Sequence, residues 1–124
     1  MQAAVQWVSS NAGHHDRSLL VIDEFDPHEP FDTPEPWASM YRGQGNLTQK
    51  GPWMIWPPYV IDGIKNGLLT EEEGRSLRAA YGAKLSMIDH WFGKLLDAID
   101  ASPDAEETAV IICTDHGHYL GEFD

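Results

Sequence analysis

The chain has 124 residues, 42% of them apolar, and a formal net charge of −12: the length of one modest domain, with enough apolar content to build a core. The acidity excludes nucleic acid or an anionic membrane surface as the main partner, since both need clusters of Lys and Arg. No apolar run approaches the roughly 18 residues of a membrane helix, and the single cysteine, Cys113, cannot form an internal disulfide.

In chain order, "QAAVQWVSSN" predicts the last turns of a helix, with Ala3, Ala4, Trp7 and Val8 on one face and Asn11 with Gly13 as the stop. The opening residues lack the basic flank and long apolar stretch of a signal peptide, and the compartment stays open between cytoplasm and periplasm. "SLLVIDEF" (18–25) is a short apolar run with β-branched residues between polar turns, and predicts a buried strand. "DPHEPFDTPEP" comes next, with four prolines that exclude regular structure and set an extended loop. Residues 37–69 scatter tryptophans and tyrosines among Gly and Pro, with room for one short helix. The whole of 26–69 reads as a long irregular region on the active-site side, or else as a surface excursion held by its aromatics.

The strongest signal is a helix over 71–100. Thr70 followed by Glu73 forms a capping box. Leu77, Tyr81, Leu85, Ile88, Phe92, Leu95 and Ile99 recur at three- and four-residue steps as one apolar stripe, and Ser102-Pro103 ends the run. "TAVIICT" (108–114) predicts a second apolar strand, in which Cys113 is a packed thiol. Two apolar strands joined through a helix suggest a parallel βαβ unit. Because two strands alone make no stable sheet, the expectation is an α/β fold, a partial parallel or mixed sheet with flanking helices, belonging to a larger domain.

Ligands bind beyond the carboxyl ends of parallel strands. Strand 18–25 would run out into Asp26-Pro27-His28-Glu29-Pro30, and strand 108–114 into Asp115-His116-Gly117-His118, which puts both polar clusters on one rim. Asp115 and His116 suit a divalent cation with mixed O and N ligands. They suit equally a strand-end Asp capping a helix after it, with His116 held by a backbone carbonyl. His28 reads as an exposed loop histidine, or as a donor to an anion or a leaving group. His14, His15 and His90 read as structural.

"FDPHEPF" after an apolar strand resembles the D-P-H-x-P-[FY] loop of the sulfatases. "YGAKLSMID", "GKLLDAID" and "TAVIICTDHGHYLGE" resemble the stretch leading into and through their D-H-G-x-x-L-G-[ED] segment. From about Ser18 onward the chain resembles an interior piece of a sulfatase, of the alkaline-phosphatase-like superfamily, so that residues 1–124 would form part of one catalytic domain of that sandwich fold, truncated at both ends. The resemblance implies a hydrolase of small-molecule or saccharide sulfate esters. It makes Asp115 and His116 ligands of a single divalent cation (calcium first, magnesium or manganese as alternatives) and His28 a histidine lining the sulfate pocket. It also implies a formylglycine nucleophile made from a C/S-x-P-x-R motif. This chain contains no such motif, so alone it is expected to be inactive. Phosphonate or phosphate-ester hydrolysis within the same superfamily is the near alternative. A non-catalytic acidic module binding through its Trp-rich loop is the distant one. Oligomeric state stays open.

Overall fold

The computed structural model describes residues 1–42, 56–57 and 62–121. Among these are three α-helices, α1 (Gln2–Asn11), α2 (Trp37–Arg42) and α3 (Glu71–Asp100), and a 3-10 turn, Ala105–Glu107. None of the described helices is long and apolar enough to cross a membrane. The chain divides into two compact units, residues 1–25 with 88–115, and residues 26–87 with 116–124. The boundary falls within α3.

α3 starts where its capping box puts it. The Thr70 backbone N–H donates to Glu73 Oε2 at 2.8 Å, and the Glu73 N–H donates back to Thr70 Oγ1 at 3.1 Å, so two donors at the helix start are satisfied reciprocally. Glu71, Glu72 and Glu73 in the first turn complement the helix dipole.

In the first unit, α1 lays Ala4 and Val8 on Leu95 of α3, with Phe92, Ala98 and Ile99 around them. Trp7, assigned by periodicity to the same face, is 37% exposed. α1 stops through a turn at Gly13 (φ +75°), whose N–H donates to Asp104 Oδ2 at 2.6 Å. A side chain at Gly13 would be strained by that φ, and its Cβ would lie 3.1 Å from Pro103 Cγ.

The second unit is built on the other end of α3. Phe31, Leu77, Ala80 and Leu120 form its core, with Tyr81 packed alongside. α2 begins where Glu35 accepts from the Ser39 backbone N–H (3.0 Å) and from its hydroxyl. Tyr41 of α2 lies over Gly82, where a Cβ would stand 3.0 Å from the ring, and its hydroxyl meets Ser86 Oγ at 2.9 Å.

The expected α/β fold with a partial parallel sheet does not form: no strand occurs among the described residues. Segments 18–25 and 108–114 lie without regular structure. Leu19 (87%), Val21 (77%), Ile111 (88%) and Ile112 (74%) are exposed rather than buried. The reason is one of partnership. A strand's ladder hydrogen bonds need a neighbouring strand, and here neither segment has one among the described residues. The sheet edge expected to carry the two polar clusters is missing with it among the described residues, and Cys113 is exposed rather than packed. The stripe on α3 is corrected too. It is not one seam against a sheet but two buried ends, Leu77 and Leu95, with Leu85 between them 44% exposed. Most of residues 43–61 lies outside the described residues, so the irregular-loop reading of 26–69 is followed only at its ends.

Candidate active site

The second unit brings together the two segments that carried the sequence argument. Between Phe25 and α2 the proline-rich loop forms neither helix nor strand, and α3 holds it from beneath. Lys84, buried in the helix, makes an ion pair with Asp26 and donates to the His28 carbonyl at 3.2 Å, with Asp32 a further 3.9 Å contact. Two turns earlier, Arg78 Nη1 donates to the Leu120 carbonyl at 3.0 Å. One helix thus fastens the loop around His28 and the segment after His116 through cations six residues apart.

His28 is half-exposed and anchored at Nδ1. That atom lies 3.1 Å from the Glu29 carbonyl and 3.0 Å from Glu29 Oε2. A carbonyl oxygen can only accept, so Nδ1 carries the hydrogen and the chemistry of the ring falls to Nε2. Glu29 is buried, and the same Oε2 lies 3.1 Å from His118 Nε2. The contacts at Oε2 are at ion-pair range but off the hydrogen-bond axis, since neither Glu29 Oε2 nor His118 Nε2 makes an aligned bond there. The His118 ring stacks on Tyr81 (centroids 5.8 Å apart, planes 12° apart) and meets the buried Phe31 edge-on at 5.3 Å.

His28 and His116 come together, with ring centroids 6.4 Å apart at 69°. His116 is exposed, and its Nδ1 donates to the Gly117 carbonyl at 2.8 Å, the backbone contact that the structural reading of this histidine called for. The same contact puts the neutral ring's lone pair on Nε2, where a metal ligand needs it. Asp115 is exposed and belongs to the first unit. Among the described residues no group of three or more His, Cys, Asp or Glu side chains stands close enough to hold a metal ion. Asp115 and His116 have the right donor chemistry for a hard or borderline divalent cation, but they are two donors where about six are wanted.

Sequence reasoning passed over Glu29, Lys84 and His118. The signals were faint: a lysine among the small residues Ala79, Ala80 and Ala83, and a second histidine two places after His116.

The Sulfatase family model matches residues 1–124. Among curated proteins, a protein named Sulfatase from Formosa agariphila is 28% identical across 96% of this chain and 26% of its own length. Choline-sulfatase from Rhizobium meliloti is 39% identical across 83% of this chain and 22% of its own. The multifunctional alkaline phosphatase superfamily protein PehA from Trinickia caryophylli is 26% identical across 84% and 24% respectively. The chain therefore spans about a quarter of the length of the curated relatives it matches. No solved structure matches it significantly. With the D-P-H-x-P loop and the residues from His116 onward held by one helix, and a family match along all 124 residues, the chain belongs to the sulfatase family.

Proposed function

We propose that this chain is an interior part of a sulfate ester hydrolase, contributing two cation ligands and a substrate-pocket histidine to an active site completed by other residues. The observation that carries the reading is the approach of His28 to His116, at 6.4 Å between rings, inside a chain that the family model matches throughout. Asp115 would supply a hard oxygen and His116 its Nε2 to a divalent cation, calcium first, with magnesium or manganese as alternatives. When bound, the cation lowers the nucleophile's pKa and offsets the charge on the sulfuryl oxygens. His28, with Nδ1 committed to Glu29, turns Nε2 to the site; as the imidazolium, with a second proton on Nε2, it donates to a sulfate oxygen or to the oxygen of the leaving alcohol. The nucleophile implied by the family resemblance, a formylglycine, needs a C/S-x-P-x-R motif that this chain does not contain, and Cys113 sits in "CTDHG". The substrate is a sulfate ester of a small molecule or saccharide; the name of choline-sulfatase speaks for the small-molecule case in that relative.

The test uses a protein of the relatives' length carrying this segment, assayed on an aryl sulfate with metal content measured alongside. Asp115→Ala should remove most metal and most activity together. His28→Ala should lower kcat by about 10²-fold or more with the metal retained. The 124-residue chain alone should not turn over. Full activity in Asp115→Ala would remove the ligand assignment. The likeness to PehA supports a second reading, phosphate or phosphonate esters. A higher kcat/KM on aryl phosphate or phosphonate than on aryl sulfate selects it.

A further inference from the structure

We propose that Glu29 and His118 are positioning residues for His28, forming a buried bridge that dictates which imidazole nitrogen faces the substrate. The functional half of this inference rests on the proposed role of His28 in the sulfate pocket; the structural half stands without it. Glu29 sets two oxygens beside His28 Nδ1: its carbonyl at 3.1 Å, which accepts the hydrogen bond, and the carboxylate Oε2 at 3.0 Å, which lies off the hydrogen-bond axis and acts through its charge. A neutral imidazole carries one hydrogen, and the carbonyl's bond together with the carboxylate's negative charge draws it to Nδ1. Nε2 is left as the nitrogen with the lone pair, which is not the tautomer a free histidine side chain favours.

A carboxylate buried as Glu29 is would be costly without polar partners. His118 Nε2, 3.1 Å from the same oxygen, is the second partner. His118 is itself held by the stack on Tyr81 of α3 and the edge contact with Phe31. Pro27 and Pro30 restrict the backbone on either side of the His28-Glu29 pair. The path therefore runs from α3 through Tyr81, His118 and Glu29 to His28. The loop histidine takes its orientation from the segment that also carries His116. If Glu29 were there only to fill and stabilise the core, its loss would change stability and leave the His28 tautomer alone.

The experiment is a long-range proton–nitrogen NMR spectrum of the ¹⁵N-labelled 124-residue chain, at about pH 8.5, above the ordinary histidine range. His28 should show the hydrogen on Nδ1. In Glu29→Ala, which keeps the backbone carbonyl and removes the carboxylate, it should shift in part toward the Nε2–H form, with the helical circular dichroism of α3 retained. Glu29→Gln, which keeps an oxygen at that place without the full charge, should restore part of the Nδ1–H form. His118→Phe keeps the aromatic stack but removes Nε2, and should move His28 in the same direction as Glu29→Ala. In the longer protein, Glu29→Ala should lower kcat on an aryl sulfate about 10- to 100-fold with little change in KM, the usual cost of losing a residue that orients an active-site imidazole. A wild-type His28 in the Nε2–H form, or one unchanged by Glu29→Ala, overturns the proposal. An unchanged His28 in His118→Phe removes His118 from it. If the tautomer results hold while the wild-type longer protein has no sulfatase activity, it is the functional reading that fails and not the bridge.

Discussion

Removing the Lys84 ammonium tests how the site is held together. Its Nζ makes an ion pair with Asp26 and a hydrogen bond to the His28 carbonyl, with its side chain 7% exposed against 23% for Asp26. A hydrogen bond to a charged group is worth about 1.5–3 kcal/mol. Stranding one member of a buried pair costs about 3–5 kcal/mol, and the partial exposure of Asp26 lowers that figure because water can resolvate the carboxylate. Lys84→Met keeps the alkyl stem and should destabilise by about 2–3 kcal/mol. Asp26→Asn should cost less, since the lysine retains its bond to the His28 carbonyl. The double variant should show a coupling of about 1–2 kcal/mol between the two positions. The assay is urea unfolding followed by far-ultraviolet circular dichroism, with all four members of the cycle measured together. Costs that add to within about 0.5 kcal/mol would mean the two side chains do not act on each other, and the account of α3 as the clamp on the His28 loop would be wrong.

Thr70→Ala removes one half of the capping box and should cost about 1 kcal/mol in the same urea assay. Ser76→Ala should be neutral or stabilising by up to about 1 kcal/mol, since the buried Ser76 hydroxyl has no hydrogen-bond partner and alanine is the better helix former. Leu85→Asp should cost under about 1 kcal/mol in this chain, because the side chain is already 44% exposed; a loss of several kcal/mol would show that this face is buried.

The residues told most where the physics is local. The limits of α3 follow from a capping box at Thr70 and a Ser-Pro stop, both settled within a turn of chain, and α1 and the irregular proline loop follow in the same way. The strands did not, because a run such as "TAVIICT" specifies only a willingness to pair. Whether a partner strand lies beside it is a fact about the rest of the sheet. The apolar stripe on α3 failed for a related reason. Periodicity locates a face but not how many separate partners cover it, and Leu77 and Leu95 turn out to serve different cores. At the candidate site the motif residues His28 and His116 were legible, whereas Glu29 and His118 were not. Their roles depend on a contact between segments far apart in the chain, and no local spacing encodes that.

The two exposed apolar runs have unequal consequences for the chain in concentrated solution. Residues 18–25 carry Asp23 and Glu24, charges of the kind that discourage intermolecular strand stacking, whereas 108–114 is uncharged throughout and rich in β-branched side chains. At low ionic strength the net charge of −12 keeps molecules apart. At about 0.1 M salt the repulsion reaches only about 10 Å. Self-association of this 124-residue chain is therefore expected to begin at "TAVIICT" and to be promoted by salt; sedimentation velocity showing no salt-dependent association would refute it.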